Sequence, residues 1–276
     1  MYIRYGRFPG GVTEEVNSMP NSYLPNRFER KYVVSEEKAC DIRRFIQSHV
    51  EPDEFLTPGA PQGYPVYSLY LDSPMLSLYE ATAQGMMNRF KLRIRYYDDS
   101  PQSPIFFEVK RRLNQVVKKL RVSVKRECMP HLLAGITPSK SDLADPRQDM
   151  YALAEFCRLR TQLRAIGTLI VGYNREAYLD PVAGKNRVTF DRYLRAKQFD
   201  PAKGLILDLD PVSPADPGVI LELKYVDRFP EWMQQLIRTF GLERQSVPKY
   251  GWSIESIGEP VVMTRSIRLF RNAIPA

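Results

Sequence analysis

The chain has 276 residues, of which 43% are hydrophobic and 26% are charged, and this ordinary globular composition excludes disorder over most of its length. The formal net charge of +8 favours an anionic partner, whether nucleic acid, a phosphate polymer or an acidic membrane surface. No segment has the apolar length of a transmembrane helix, and residues 1–11 lack the apolar core of a signal peptide. The sequence therefore predicts a cytoplasmic protein with one folded domain.

The predicted elements follow a flexible leader, residues 1–26, which contains proline and glycine and shows no periodicity. Arg27–Val34 alternates between polar and apolar residues, as a strand does. Ser35 is the expected N-cap of the helix that follows, which has glutamates in its first turn. Residues 66–72 are rich in aromatic and branched side chains and predict a second strand, after which Ser73-Pro74 begins a short helix.

The rest of the chain predicts more strands than helices. Three strands separated only by short turns indicate antiparallel hairpins. An amphipathic helix follows, and then three further strands and a last helix. These elements are predicted at residues 90–97, 105–112 and 118–125 (strands), 146–165 (helix), 169–178, 187–195 and 219–225 (strands) and 229–240 (helix). Residues 258–276 are predicted to form a C-terminal tail.

The predicted strands separate their charged side chains from their apolar ones. Neighbouring residues of a strand point to opposite faces, so Leu92 and Ile94 share one face while Arg93 and Arg95 share the other. Three of the other predicted strands divide in the same way. Helices need an apolar surface to cover, so the ionic face is expected either to meet water, as in an open antiparallel sheet, or to line a cavity.

Glutamate and lysine recur two positions apart, and therefore on one face, in three strands. The pairs are Glu29 with Lys31, Glu108 with Lys110 and Glu222 with Lys224. Phosphate oxygens need guanidinium and ammonium donors, and a metal bound to the same phosphates needs carboxylate oxygens. The ionic face is therefore predicted to bind phosphate with a metal, and bound anions or shifted lysine pKa values would relieve the repulsion among its cations. The alternative is that the glutamates only neutralise neighbouring lysines.

The cysteines are three in number and widely separated, at Cys40, Cys128 and Cys157, and they form no Cys-x-x-Cys pair. The only histidines are His49 and His131. This pattern predicts reduced thiols, with neither a disulfide framework nor a zinc site.

Six short motifs occur in an order that is typical of a known family. They are Arg93-Ile94-Arg95-Tyr96, Phe107-Glu108-Val109-Lys110, Lys119-Leu120-Arg121, Tyr173-Asn174-Arg175, Leu221-Glu222-Leu223-Lys224 and Lys249-Tyr250. In this order they resemble the VTC (vacuolar transporter chaperone) polyphosphate polymerase domain, one of the triphosphate tunnel metalloenzymes, or CYTH-like proteins. The resemblance covers residues 27–257. It implies an α+β fold, built as a closed antiparallel β-barrel tunnel with a polar, basic lumen and helices packed outside.

The resemblance also implies an activity. A domain of this kind is a phosphotransferase that adds the terminal phosphate of ATP to a growing inorganic polyphosphate chain, with Mn²⁺ or Mg²⁺ as cofactor. It implies a membrane-protein partner, which would hold the chain at a membrane surface, and no nucleic acid. Two alternatives stay open: a non-catalytic module that binds polyphosphate or triphosphate, and a triphosphatase of the same superfamily. Nucleic-acid binding through a basic sheet is a third alternative, which the charge alone permits.

Carried over residue by residue, the resemblance assigns roles to the charged side chains. The expected phosphate ligands are Lys31, Arg93, Arg95, Lys110, Lys119, Arg121, Tyr173, Arg175, Lys224 and Lys249. The expected catalytic residues among them are Arg93, Arg95, Lys110, Lys119, Arg175 and Lys249. The expected metal ligand is Glu222, with Glu108 and Glu29 as secondary candidates.

The sequence departs from the family pattern at two points. Triphosphatases of the superfamily carry Glu-x-Glu-x-Lys on the first strand, whereas Arg27 stands at the first position here, which favours the polymerase. Pro248 stands where polymerases often have a serine before the last tunnel lysine.

A shift of one residue in register would also place Lys118, rather than Lys119, on the ionic face.

Overall fold

The computed structural model describes most of the chain. The described residues are 27–56, 63–114, 116–181, 186–212 and 218–272. The leader predicted for residues 1–26 lies outside them, as do residues 273–276 of the predicted tail.

Ten strands and seven helices are formed by the residues described. The strands are β1 (Arg27–Val34), β2 (Glu51–Pro52), β3 (Tyr64–Asp72), β4 (Asn88–Tyr96), β5 (Ile105–Leu113), β6 (Val116–Val124), β7 (Ile166–Leu179), β8 (Arg187–Gln198), β9 (Asp210–Pro211) and β10 (Val219–Val226). The helices are α1 (Glu36–Ile46), α2 (Ser77–Ala83), α3 (Met129–Ala134), α4 (Tyr151–Leu163), α5 (Glu231–Thr239), α6 (Lys249–Ile257) and α7 (Glu259–Asn272).

All the predicted strands are present, with ends that differ by a few residues, but helices α3, α6 and α7 were not predicted. Helix α6 begins after Pro248, which provides no side-chain cap, and Gly251 lies in its first turn. Both features argue locally against a helix, so packing rather than propensity forms it. Helix α7 occupies most of the predicted tail.

The strands form an antiparallel sheet in the order β1-β10-β8-β7-β3-β4-β5-β6, with β2 paired to β7 and β9 paired to β8. Strands β1 and β6 end this order, and no pairing joins them within the described ranges. The predicted closed β-barrel tunnel is therefore wrong, and the fold is α+β with a sheet that is not closed. Alternation along a strand shows which side chains share a face, but it carries no information on whether the first and last strands hydrogen-bond.

The chain divides into two compact units. The first unit comprises Met1–Tyr64, Arg175–Phe190 and Val219–Gln245, and the second comprises Pro65–Asn174, Asp191–Gly218 and Ser246–Ala276. Strands β7 and β8 contribute one part of their length to each unit. Each unit has its own hydrophobic core.

The core of the first unit is formed where helices α1 and α5 cover strands β1 and β10. Ile42 and Ile46 lie one helical turn apart and are buried in the same cluster as Tyr32 and Leu221 of the strands. Ser35 caps α1, as predicted, because its side chain accepts a hydrogen bond of 3.2 Å from a backbone N–H in the first turn. The apolar face of β1 and β10 is thereby buried, and Glu29, Lys31, Glu222 and Lys224 share the opposite face.

The core of the second unit is formed where helix α4 covers strands β4, β5 and β6. Leu92, Phe107 and Val122 are buried, one from each strand. Phe156 of α4 packs edge-on against Phe107, with 4.8 Å between the ring centroids. Burial of one such side chain stabilises the fold by about 2 kcal/mol. The predicted apolar face is confirmed, and Arg93, whose position alternates with it, belongs to the ionic face.

None of the helices in the described part of the chain is both long enough and apolar enough to cross a membrane. The membrane-protein partner stays a prediction.

Candidate functional site

Five charged side chains of the first unit form one group, which we name the Glu222 cluster: Glu29, Lys31, Arg175, Glu222 and Lys224. Strands β1 and β10 are antiparallel in a register that places Lys31 opposite Glu222 and Glu29 opposite Lys224. Because residues two apart share a face, the two glutamates and the two lysines alternate in sign around four neighbouring positions. Cross-strand pairing therefore brings together charges that are almost 200 residues apart in the sequence.

Glu222 is the centre of this cluster. Its Oε1 lies 3.3 Å from Lys31 Nζ, and its Oε2 lies 2.7 Å from Lys224 Nζ and 3.6 Å from Arg175 Nη2. Lys31 Nζ also lies 3.0 Å from Glu29 Oε1. Only 5% of the Glu222 side chain is exposed, so three cations contact a nearly buried carboxylate.

The two lysines of the cluster titrate differently. Burial alone would lower the pKa of Lys31, but the carboxylates of Glu222 and Glu29 outweigh burial and raise that pKa. Burial lowers the pKa of Lys224 to about 8; Glu222 opposes this shift, and repulsion from Arg175 adds to it. The predicted shift in lysine pKa values therefore occurs in this cluster.

Glu29 and Glu222 are the carboxylates that could hold a divalent metal. Both carboxylates contact the Lys31 ammonium group, so their oxygens already converge on one positive charge. Mg²⁺ is typically bound by one or two carboxylates together with the phosphates of a substrate. This donor set fits the predicted metal.

Glycine is required at position 63 to place Arg175. Gly63 has a φ of +68°, and a Cβ atom there would lie 2.1 Å from the carbonyl oxygen of Arg175. A side chain at this position would therefore displace the backbone of β7 beside the Glu222 cluster.

The first unit also holds Arg187 in an ion pair. Its Nη2 lies 3.0 Å from Oδ2 of the buried Asp53 and 3.3 Å from the hydroxyl of Tyr64. Asp53 and Tyr64, the latter at the start of β3, thus fix the guanidinium group, a contact that the sequence pattern did not indicate.

Five charged side chains of the second unit form another group, which we name the Glu108 cluster: Arg93, Arg95, Glu108, Lys119 and Arg121. The registers of β4, β5 and β6 place Arg93 and Arg121 on either side of Glu108. Glu108 Oε2 lies 2.5 Å from Arg93 Nε, and Oε1 lies 2.8 Å from Lys119 Nζ and 3.4 Å from Arg121 Nη1. The carboxylate is completely buried, so the cations replace the water that it has lost.

The cations of this cluster strongly affect its titration. Burial alone would raise the pKa of Glu108, but Arg93, Lys119 and the other cations hold it well below its usual range. The pKa of Lys119 is lowered to about 7, first by burial and then by repulsion from Arg121, with Glu108 opposing the shift. The contact with Glu108 also supports Lys119, rather than Lys118, as the lysine of the ionic face.

Aromatic residues surround the arginines of the Glu108 cluster. The Arg121 guanidinium lies over the Phe106 ring, 3.8 Å from its centroid. Arg95 Nη2 donates to the hydroxyl oxygen of Tyr173 at 3.3 Å.

Lys110, another predicted phosphate ligand, is in register with Lys119. The second unit therefore brings together most of the predicted phosphate ligands.

Lys249, the last predicted phosphate ligand, begins helix α6 in the second unit. Its Nζ lies 2.7 Å from Oδ2 of Asp191 and 4.9 Å from the centroid of the Tyr173 ring. Asp191 is completely buried and Lys249 is nearly so. The structure therefore pairs Asp191 with this lysine.

A further buried carboxylate, Asp72, was missed by the sequence analysis. It accepts hydrogen bonds from the backbone N–H groups of Leu78 and Tyr79 at 2.8 and 2.9 Å, and from the Tyr250 hydroxyl at 3.1 Å. Burial raises its pKa to about 6 despite these donors. Because Tyr250 follows Lys249, its hydrogen bond to Asp72 fixes the first turn of α6. The signal in the sequence that could have identified Asp72 was its position just before a predicted helix.

Cys128, His131 and Asp142 form a group whose potential metal-ligand atoms all lie within 4.8 Å of one another. Asp142 accepts hydrogen bonds from the backbone N–H of Ser139 at 2.7 Å and interacts with His131 Nε2 at 3.1 Å. Burial and the neighbouring Asp142 raise the pKa of the Cys128 thiol, which opposes the thiolate that zinc requires. Asp142 caps a helical turn together with Ser139, which gives this carboxylate a structural role.

The chain belongs to the VTC domain family. The model of that family, described as "VTC domain", matches residues 26–257, which is most of the sequence. The resemblance found in the six motifs is confirmed.

Three solved structures are distant likenesses of this chain. A Bacillus halodurans protein described as a candidate adenylate cyclase is 14% identical, with a TM-score of 0.45 over 81% of this chain and 94% of that chain. A candidate adenylyl cyclase from Hippeastrum, described as having a dominant triphosphatase activity, is 13% identical, with a TM-score of 0.43 over 84% and 96%. The Mimivirus capping enzyme triphosphatase is 8% identical, with a TM-score of 0.33 over 78% and 89%. A comparison with curated proteins found no significant match.

Proposed function

We propose that the protein is a polyphosphate polymerase, which transfers the terminal phosphate of ATP to a polyphosphate chain with Mn²⁺ or Mg²⁺ as cofactor. The observation that carries this proposal is the Glu108 cluster, where four cationic side chains surround one carboxylate. The cations outnumber the carboxylate, so the cluster keeps positive charge for an anionic chain. Membership of the VTC family supports the same reading.

The cationic side chains have the chemistry that phosphoryl transfer needs. Its transition state is loose, so the protein has to align the phosphates and stabilise their charge rather than supply a covalent nucleophile. Arginine offers a planar fork for two phosphate oxygens, and lysine offers a point charge. The residues proposed to bind phosphate are Arg93, Arg95, Lys110, Lys119, Arg121, Tyr173 and Lys249 in the second unit and Lys31, Arg175 and Lys224 in the first.

The carboxylates are proposed to have two different roles. Glu222, with Glu29 beside it, would hold the divalent metal, and the bound metal supplies charge that neutralises phosphate oxygens. Glu108 is a counter-ion, because Arg93, Lys119 and Arg121 all contact it. It keeps those cations at fixed positions while the phosphate chain is absent.

Product analysis tests this proposal. The purified protein is incubated with ATP and Mn²⁺, polyphosphate is detected on a gel, and released phosphate is measured in the same sample. We expect polyphosphate from the wild type and at least about 100-fold less from Arg93→Glu, because a cation at the reacting phosphates is lost. Arg147→Glu, which changes an arginine that is 86% exposed, is the matched control and should keep its activity.

The other outcomes separate the alternatives. Released phosphate without polyphosphate would contradict the polymerase and support a triphosphatase. Binding of ATP or polyphosphate without any product would support a non-catalytic module.

A further inference from the structure

The ion pairs of the Glu222 cluster affect how it can bind a metal, a point that the proposed function leaves open. We propose that this cluster is closed to free divalent metal and accepts a metal only together with phosphate, so that its ligand is the metal–phosphate complex. This inference rests on the proposed function, because it assumes that phosphate binds at the cluster.

The ion pairs of the cluster occupy both oxygens of the main carboxylate. Glu222 Oε1 contacts Lys31, and Oε2 contacts Lys224 and Arg175. Glu29 contacts the same Lys31 ammonium at 3.0 Å. A metal that arrives alone must therefore displace Lys31 from both glutamates.

Displacement of the lysine has two electrostatic costs. Lys31 and Lys224, whose side chains are only partly exposed, would lose their carboxylate partners, and an ammonium without a partner is costly where little water reaches it. The metal would also lie beside the positive charges of Lys224 and Arg175. Both effects weaken the binding of free metal.

A phosphate chain removes both costs at once. Its oxygens accept contacts from Lys31, Lys224 and Arg175, which frees the carboxylate oxygens, and its negative charge offsets the repulsion between the metal and the cations. Metal and phosphate should therefore raise each other's affinity by the same factor, since coupling between two ligands is reciprocal. A typical coupling of this kind is about 5- to 150-fold.

Removal of a phosphate-binding lysine should improve the binding of free metal. Mn²⁺ is titrated into phosphate-free protein and free Mn²⁺ is followed by electron paramagnetic resonance. We expect weak binding to the wild type and binding about 5- to 150-fold tighter in Lys31→Met, because the competing ammonium is gone. Adding Glu222→Gln to Lys31→Met should abolish the gain.

Lys38→Met is the matched control, because Lys38 lies on helix α1 of the same unit and outside the cluster. Circular dichroism checks that each variant is folded, and Lys224→Met is the second variant if Lys31→Met is not. Tight binding of free Mn²⁺ to the wild type, or no gain in either lysine variant, would overturn the inference. Tripolyphosphate affinity of the same variants is measured separately, and its loss without a gain in Mn²⁺ affinity would sink this inference while leaving the proposed function intact.

Discussion

At the scale of single residues, each cluster is built around one buried carboxylate that several cations share. Glu108 contacts Arg93, Lys119 and Arg121, and Glu222 contacts Lys31, Lys224 and Arg175. A buried carboxylate with several cationic partners stays ionised, and it holds long side chains in fixed positions. The cations are therefore arranged before any phosphate binds.

The titration of Lys119 predicts how phosphate binding depends on pH. Its pKa of about 7 lies below the ordinary value of 10.5, so above pH 7 much of the unliganded protein carries a neutral Lys119. Phosphate favours the charged form, so binding should take up a proton, and affinity should fall as pH rises from about 7 to about 8. Calorimetric titrations with tripolyphosphate in buffers of different ionisation enthalpy measure this uptake.

Lys119→Arg is the matched variant for this prediction, because arginine stays charged throughout the range. It should bind tripolyphosphate with less proton uptake than the wild type, and the uptake that remains is expected from Lys224, whose pKa is about 8. Equal uptake in the two proteins would show that another group is responsible.

Asp191 is predicted to act as a positioning residue for Lys249. Asp191→Asn removes the charge that holds the Lys249 ammonium at 2.7 Å, so kcat should fall at least about tenfold while tripolyphosphate affinity changes less. Steady-state kinetics separate the two effects, and Asp191→Glu should recover part of kcat because it restores the carboxylate. An unchanged kcat in Asp191→Asn would remove this role.

At the scale of elements, strand register decides which charges meet. Alternation alone predicted correctly that Arg93 and Glu108 belong to the ionic face. It could not predict that Lys31 lies opposite Glu222, because that pairing depends on how two strands far apart in the sequence align. Nor could it predict that Lys249 begins a helix, since the local sequence disfavours one.

The close approach of Gly63 to β7 gives a prediction about stability. Gly63 and Gly85 both have a φ of +68°, but a Cβ atom at Gly85 would meet nothing within 4 Å. Gly85→Ala should therefore cost about 1–2 kcal/mol from backbone strain alone. Gly63→Ala should cost clearly more, because its Cβ would collide with the Arg175 carbonyl group.

Urea unfolding of both glycine variants measures this difference. The Gly63→Ala variant should also bind tripolyphosphate more weakly than Gly85→Ala, since the collision shifts the backbone of Arg175. Equal losses of stability in the two variants would contradict the role assigned to Gly63.

At the scale of the whole chain, the sequence predicted the features that depend on local patterns and failed on a feature that depends on long-range strand pairing. The α+β class, the ionic face and the VTC family were predicted from local patterns and the order of motifs. Closure of the sheet, which the family resemblance implied, was predicted wrongly, and the ionic face could not reveal the error because it is equally consistent with open and closed sheets. The proposed activity depends on the two clusters, and the pairings within each cluster do not require β1 to pair with β6.

Phosphate binding by the two clusters is tested most directly by calorimetric titration of tripolyphosphate into metal-free protein at about 0.1 M salt, where exposed charges are partly screened. We expect saturable binding by the wild type and at least about tenfold weaker binding by Arg93→Glu and by Arg175→Glu, with the affinity of Arg147→Glu unchanged. Absence of binding by the wild type, or equal affinity in all four proteins, would contradict the claim that these clusters bind phosphate.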